Sequence, residues 1–185
     1  QKNNMKFDKI TPDGRLWAAI YDNKETNALD ELFEQWGDVA WLRNFFSENM
    51  SDLSAYFRIT DINTAIYDTL DDNDQLQCLI LDITPDANLD EIFRPLENNR
   101  LQEMLLGREK ARLKNRPRHA SWLRIYAIKL DPGIFIVTGG AIKLTATMGE
   151  RQHTIDELAK LEEVRNHLLS EGIVDAAGFN DFVEG

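Results

Sequence analysis

Cationic side chains, accompanied by a tyrosine and two histidines, gather in the C-terminal half of the sequence and are the residues best suited to chemistry. They are Arg116, Arg118, His119, Arg124, Tyr126, Lys129, Lys143, Arg151 and His153. Lys and Arg can stabilise a phosphorane, while His, Tyr and Lys can transfer protons. These residue types therefore suit metal-independent cleavage of RNA through its own 2′-hydroxyl. They suit equally a noncatalytic surface that binds an acidic protein or a nucleic acid.

The charge of the chain is divided unevenly. The 185 residues have a net charge of −11, yet residues 107–129 hold eight Lys or Arg and one Glu. Because the Debye length is about 8 Å at physiological salt, such local charge matters more than the total. The basic strip, residues 108–129, therefore predicts an anion-binding surface. The residues expected to bind the anion are Arg112, Lys114, Arg116, Arg118, Lys129, Arg151 and His153.

Two other interpretations of the basic strip stay open. It could be a solvated surface that pairs with an acidic neighbour in the same fold. It could also be covered in cis by the acidic helices of residues 61–97, which would act as a built-in mask. Both interpretations predict ion pairs between the strip and acidic side chains of this chain.

Several other kinds of site are not indicated. Three His and one Cys at no ligand spacing predict no metal site, and the glycines form no phosphate-binding loop, so no cofactor is expected. The acidic run 71–74 lacks the glycine and terminal Glu of a calcium loop, and we interpret it as a solvated junction between helices. With one Cys and no apolar run near the ~20 residues of a membrane span, we expect a cytoplasmic protein with no membrane partner.

Residues 122–148 predict the sheet that must hold the reactive side chains. Two β-type runs flank Asp131-Pro132-Gly133, a turn in which Pro presets φ and Gly supplies a positive φ. The pair Gly139-Gly140 inside the second run indicates a bulge or a close backbone approach. A helix with a capping box at Thr154 follows, and Gly172 is placed to end it.

The N-terminal half predicts a hairpin over residues 7–21 and then mostly helices, with Thr26 and Asp38 placed to cap the first two. The sequence thus predicts an α+β fold. A small antiparallel sheet packs against helices, and the helical layer is enlarged in the N-terminal half. We expect a single domain over residues 1–185, with residues 51–99 as a candidate helical insertion within it.

Residues 100–115 allow two local structures. Most are strong helix formers, which favours a helix to about Leu113 and extended chain afterwards. However, six cations fall at every second position, and in an extended chain all six would share one face. They are Arg108, Lys110, Arg112, Lys114, Arg116 and Arg118. Because the residues between them make a poor buried face, we expect the helix.

Three consecutive segments carry a family likeness: L-R-I-Y-A-I-K-L, then I-F-I-V-T-G-G-A-I-K-L-T, then a helix from Thr154 to Leu169. Together, over residues 100–170, they resemble the C-terminal half of the RelE/ParE toxin superfamily, and most of all its HigB-like, phage-derived branch. Family members have an Arg-x-x-Tyr strand and then a strand ending in an aromatic residue and two lysines. Arg124 and Tyr126 stand in the first strand, and residues 141–144, A-I-K-L, stand in place of the second pattern.

The resemblance implies cleavage of ribosome-associated mRNA, with an antitoxin protein as partner. It implies that Lys143 and Arg124 stabilise the phosphate and that His119, Tyr126 or His153 transfers protons. We therefore expect a toxin-type endoribonuclease or, as the alternative, a noncatalytic interaction module that uses the basic strip.

Overall fold

The structure, a computed structural model, describes residues 4–96 and 106–185. Within them the chain forms six strands and seven helices. The strands are β1 (Lys6–Lys9), β2 (Leu16–Ile20), β3 (Phe93–Pro95), β4 (Gly107–Ala111), β5 (Leu123–Leu130) and β6 (Ile134–Ile142). The helices are α1 (Ala28–Trp36), α2 (Val39–Glu48), α3 (Met50–Phe57), α4 (Ile62–Leu81), α5 (Leu89–Ile92), α6 (Gln152–Ser170) and α7 (Ala176–Glu184).

The described strands form one sheet in the order β1-β2-β6-β5-β4-β3. The predicted hairpin of residues 7–21 is confirmed as β1 and β2, and the turn 131–133 joins the antiparallel pair β5 and β6. The positive φ predicted for Gly133 is wrong, because the described glycines with a positive φ are Gly14 and Gly172. Strand β2 runs parallel to β6, so the two hairpins lie side by side and point the same way. The predicted α+β class is therefore confirmed, and the sheet is antiparallel apart from that one pair.

Helices cover both faces of the sheet. Alternate side chains of a strand point to opposite faces, and in β5 and β6 both sets are buried. Ile125 and Val137 pack with helices α1 to α4 in one core. Ile128 and Ile136 pack with α6 and α7 in a second core on the other face. None of the described helices is long and apolar enough to cross a membrane.

The helix starts match the sequence only in part. Asp38 caps α2, as predicted, by accepting a hydrogen bond from the backbone N–H of Trp41. The cap predicted at Thr26 is wrong: the side chain of Asn27 caps α1 and accepts from the N–H of Asp30 at 2.9 Å. Asn and Thr both serve as helix caps, so the sequence alone could not decide which of these two neighbouring residues caps α1. The junction predicted at residues 71–74 is also wrong, because α4 runs through it without a break.

The start of α6 is displaced from the predicted capping box. The helix begins at Gln152, and a capping box occurs earlier, between Thr147 and Glu150, at a short 3-10 turn. Thr154 lies inside the helix, where its hydroxyl donates 2.8 Å to the carbonyl of Arg151. The other end is as predicted: Gly172 has a φ of +73°, a conformation that costs glycine little.

The helix predicted through residues 100–113 is wrong from Gly107 onwards, and residues 100–105 lie outside the described part. Residues 107–111 form strand β4, which is paired on both sides, with β3 and with β5. Of the residues that seemed a poor buried face, Gly107, Glu109 and Ala111 are buried, whereas Asn115 and Pro117 lie beyond the strand and are exposed. Ala111 stands opposite Phe93, whose ring shares that face. Pairing with two strands has overridden a weak local preference for helix.

Candidate anion-binding cleft

Three strands bring cations to one place on the sheet. Lys110 lies on β4, Arg124 lies on β5, and Lys143 follows the last residue of β6. Lys110 stands opposite Tyr126 in the β4/β5 register, and Arg124 is two residues before Tyr126, so these side chains share one face. It is the face that α6 covers, and Leu158 of α6 forms part of the opposite wall.

The cations line a cleft with two lobes that share Lys110, Arg124 and Lys143. The first lobe, which we call the apolar lobe, has a volume of about 370 Å³. Its other lining residues are Leu96, Arg108, Tyr126, Ala146, Thr147, Met148 and Leu158. The second, the cationic lobe, has a volume of about 340 Å³ and is completed by Ile92, Arg94, Arg112 and Lys114. Both volumes lie in the range of roughly 300–1,000 Å³ that is typical of small-molecule sites.

Burial and mutual repulsion lower the pKa values of the three shared cations. Burial is the main cause at Lys110, and Arg124 and Arg112 add repulsion. Burial also dominates at Lys143, followed by the charges of Arg124, Lys110 and Arg112. The pKa of Arg124 falls to about 10, first through burial and then through Arg112. Positive groups held together in this way favour a negative charge between them.

The three shared cations donate hydrogen bonds to backbone carbonyls, and Lys110 Nζ reaches the carbonyl of Leu96 at 3.5 Å. Arg124 Nη1 donates to the carbonyls of Ser121 at 2.6 Å and Leu123 at 2.9 Å. Lys143 Nζ donates to the carbonyl of Ala146 at 3.0 Å. Across residues 4–96 and 106–185, no carboxylate forms an ion pair with the three shared cations or with Arg112. Within those residues, the charge of these four cations is therefore not balanced by a directly paired carboxylate.

Tyr126 forms part of the floor of the cleft and is fully buried. Its hydroxyl donates to the sulfur of Met148 at 2.8 Å. Burial raises its pKa, and the opposing effect of Arg124 is too small to reverse this. The hydroxyl therefore stays protonated and cannot act as a base.

Two neighbouring glycines let the backbone pack closely behind the cleft. A Cβ on Gly140 would collide with the carbonyl oxygen of Arg124 and stand 2.8 Å from Leu32 Cδ1. A Cβ on Gly139 would collide with the carboxylate of Glu157 on α6. The close approach predicted for this pair is confirmed, and the β5/β6 register also shifts opposite it.

The later part of the basic strip lies outside the cleft, against α4. Arg116 Nε donates 2.7 Å to Asp72, and its Nη2 pairs with Asp71. Arg118 pairs with Asp68. The interpretation that the strip pairs with an acidic neighbour therefore holds for this part. It also holds for Arg108, which lines the apolar lobe and pairs with Glu162 of α6 at 3.5 Å.

His119 is also held by α4, away from the cleft. Its Nε2 lies 2.8 Å from Asp68 Oδ2. Its ring stacks on Trp122 with a centroid separation of 4.4 Å and meets the edge of Phe57. The structure thus does not bring His119 together with Arg124 and Lys143.

The remaining predicted residues are dispersed. Lys129 points to the other face of β5, where it pairs with Asp90 at 2.6 Å and lies over the ring of Phe135. Arg151 is paired with Asp52 through two hydrogen bonds. The Nε2 of His153 is 2.8 Å from the carbonyl of Ile142. None of these three lines either lobe.

Lys110 is the residue that sequence reasoning did not place in the site. The alternation of cations from Arg108 onwards indicated that Lys110 shares a face with the other cations. The helix that we expected there would have placed these cations on different sides of its axis. Arg94 was missed for a different reason, since it reaches the cationic lobe from β3, far away along the chain. Among the residues that the structure describes, no group of three His, Cys, Asp or Glu stands close enough to hold a metal ion.

Comparisons with known proteins add no identification. No protein-family model matches the chain, and neither the curated proteins nor the solved structures contain a match. The inference of function therefore rests on the cleft and on the resemblance seen in the sequence.

Proposed function

We propose that the protein binds the phosphodiester backbone of RNA in the cleft and cleaves it without a metal ion, as a toxin-type endoribonuclease. One observation carries this proposal: Lys110, Arg124 and Lys143 converge from three strands with no carboxylate paired to them in the described structure. Bringing like charges together out of water is unfavourable, and a bound phosphate would relieve it. The resemblance to RelE and HigB-like toxins adds mRNA on the ribosome as substrate, an antitoxin as partner and a cytoplasmic site of action.

The residues of the cleft suit transesterification. The 2′-oxygen attacks phosphorus, the bond from phosphorus to the 5′-oxygen breaks, and the products end in a 2′,3′-cyclic phosphate and a 5′-hydroxyl. Arg124, which stays charged at neutral pH, would stabilise the phosphorane. Lys110 and Lys143 have lowered pKa values, so one in its neutral form could accept the 2′-proton and the other could donate a proton to the 5′-oxygen.

A noncatalytic interaction module is the second candidate, and a specific observation favours it. No His or carboxylate is among the residues that line the two lobes in the described structure. Tyr126 is protonated, and His119 is held against α4. The cleft would then bind RNA or an acidic protein through charge alone and release it unchanged.

One experiment separates the two candidates. Purified protein is added to a translating extract, and mRNA integrity and RNA binding are measured for the wild type, Lys143→Ala and Lys129→Ala. We expect cleavage by the wild type and by Lys129→Ala, which lies on the other face of β5, and none by Lys143→Ala. Intact mRNA together with salt-sensitive RNA binding would leave the binding module. Intact mRNA without RNA binding would overturn both RNA cleavage and RNA binding, and would leave an acidic protein as the ligand of the interaction module.

A further inference from the structure

The apolar lobe has two walls of different chemistry. Lys110, Arg124 and Lys143 are its charged lining, which we call the cationic wall, and Leu96, Met148 and Leu158 are its apolar lining, which we call the apolar wall. These three apolar side chains come from three separate segments, and each is only partly buried. Partly exposed apolar side chains that face a cluster of desolvated cations indicate a ligand with an apolar part and an anionic part.

We infer that the apolar lobe holds one nucleotide unit, with its phosphate on the shared cations and its base against Leu96, Met148 and Leu158. This inference rests on the proposed RNA binding and adds the position of the base. A bare phosphate would use only the cationic wall, and an apolar protein side chain would use only the other. A nucleotide uses both, because its base presents an apolar face and is joined to the phosphate through the sugar.

The chemistry of the apolar wall suits a base. The thioether of Met148 is polarisable and makes favourable contacts with aromatic rings. Its sulfur is already fixed by the hydroxyl of Tyr126 at 2.8 Å. The hydroxyl of Thr147 is bonded to Glu150 at 3.1 Å, so it is engaged within its own turn. Contact through ring faces tolerates all four bases, and we therefore expect little preference among them.

The cationic lobe can accommodate the next phosphate of the RNA strand. Because both lobes share Lys110, Arg124 and Lys143, a phosphate on these cations lies between them. With the base in the apolar lobe, the next phosphate along the strand falls in the cationic lobe, near Arg112 and Lys114. The cleft thus fits one base and two consecutive phosphates.

The test measures how affinity depends on a single base. The probe is a labelled RNA octamer whose 2′-hydroxyls are methylated to prevent cleavage, together with a series in which one position at a time is abasic. For the wild type, one abasic position should weaken binding about ten-fold, the order expected for loss of one stacked base. Leu158→Ala and Met148→Ala should bind the intact octamer about ten-fold more weakly and lose nothing more when that position is abasic.

Two controls keep the result specific. Leu169→Ala removes an exposed apolar side chain from the same helix, outside the cleft, and should behave as the wild type. Leu158→Met preserves an apolar wall and should retain sensitivity to the base. Thermal unfolding verifies that each variant is folded. Titration of a ribonucleoside 3′,5′-bisphosphate shows whether a free nucleotide binds or a strand is needed. If the free nucleotide binds, it should bind more tightly than ribose 3,5-bisphosphate, which lacks the base. If a strand is needed, the abasic octamers show the same contribution of the base.

The outcomes that overturn the inference are distinct from failure of the proposed function. If RNA binds through Lys143 but affinity is the same with and without each base, the apolar lobe does not hold a base, and an apolar side chain of a partner protein is the remaining occupant. If the octamer does not bind at all, the proposed RNA binding fails and the inference fails with it.

Discussion

The lowered pKa values of Lys110 and Lys143 are the property of the cleft that can be tested most directly. Burial is the first cause of their lowered pKa values, and the neighbouring cations add to it. A phosphate in the cleft would offset both causes and return these pKa values towards the ordinary lysine value of about 10.5. Binding of an anion should therefore be linked to the uptake of protons.

Proton uptake is measurable at about pH 9, where free lysine is still charged. Because burial lowers the pKa values of Lys110 and Lys143 in the free protein, these lysines hold their protons less firmly there than in the complex, and RNA binding should take up protons. Calorimetry in two buffers with different ionisation enthalpies gives the proton count, and affinity should fall as pH rises through this range. The double variant Lys110→Arg/Lys143→Arg should take up fewer protons on binding, the remainder coming from Arg124, whose pKa is about 10, and Lys129→Arg should not alter the count. An unchanged count in the double variant would contradict the assignment.

Tyr126 provides a second test at this scale, because the family resemblance implies a role in proton transfer and its environment argues against it. Its pKa is raised by burial, and its hydroxyl is occupied by Met148. Tyr126→Phe should therefore keep the cleavage rate within about three-fold, whereas loss of a proton-transferring group typically costs 10²–10⁴-fold. Single-turnover cleavage measures this, with Lys143→Ala as the comparison. Equal losses in the two variants would return the hydroxyl to the mechanism.

The segment between β4 and β5 shows how one stretch of chain can serve two purposes. Arg112 and Lys114 line the cationic lobe, whereas Arg116 and Arg118 are paired with carboxylates of α4. Neutralising the first two should weaken RNA binding and leave the stability unchanged. Neutralising Arg116 should leave RNA affinity unchanged and lower the free energy of unfolding by about 1.5–3 kcal/mol, the value of hydrogen bonds to charged groups.

Paired measurements on Arg112→Gln/Lys114→Gln and on Arg116→Gln separate these effects. Urea denaturation reports the stability, and fluorescence anisotropy of a labelled RNA reports the affinity. If both variants lost affinity equally, the whole basic strip would act as one binding surface, as the sequence alone suggested.

Gly140 lies where strands β5 and β6 pack closely, against the backbone carbonyl of Arg124. Its replacement by Ala places a methyl group against the carbonyl of Arg124 and near Leu32, and overpacking of this kind costs about 1–3 kcal/mol. Because the backbone of Arg124 must move, RNA affinity should fall as well. Gly133→Ala, which meets nothing within 4 Å, should change neither. Unfolding curves and RNA titrations of both variants decide the matter, and an unaffected Gly140→Ala would show that the strands yield without cost.

The elements also explain what the sequence could and could not predict. The turn at residues 131–133 and the cap at Asp38 are local chemistry, and the position of both was predicted, although Gly133 does not take the positive φ expected of it. The alternation of cations from Arg108 indicated the strand β4, but the helix propensities of the single residues favoured a helix. The strand is stabilised by pairing with β3 and β5, which no local pattern shows. The same limit hid Arg94 and the ion pairs of Arg116, whose partners lie more than 40 residues away.

On the scale of the whole molecule, an acidic helical layer lies on each side of the sheet, and residues 152–185 on the α6 side contain eight Asp or Glu against two Lys or Arg. Residues 22–96 contain 17 Asp or Glu against four Lys or Arg, and helices α1 to α4 lie on the face opposite α6. The cleft opens on the α6 face. Acidic side chains of α4 that make no ion pair with the basic strip act on the cleft only through space, and salt screens that action with a Debye length of about 8 Å at physiological salt and about 30 Å at 0.01 M.

Salt dependence therefore distinguishes an acidic layer that acts at a distance from one that covers the cleft in cis. The variant Asp74→Asn/Asp82→Asn removes two exposed acidic charges from α4 and its C-terminal cap. It should raise RNA affinity at about 10 mM salt, where the Debye length is about 30 Å, and leave it unchanged at 0.15 M. Lys114→Gln should instead reduce the slope of log affinity against log salt by about 0.7, the value of one phosphate contact on a single strand. A large gain in affinity for the Asp variant at 0.15 M would mean that the acidic helices mask the cleft, because screening at that salt leaves only direct contact.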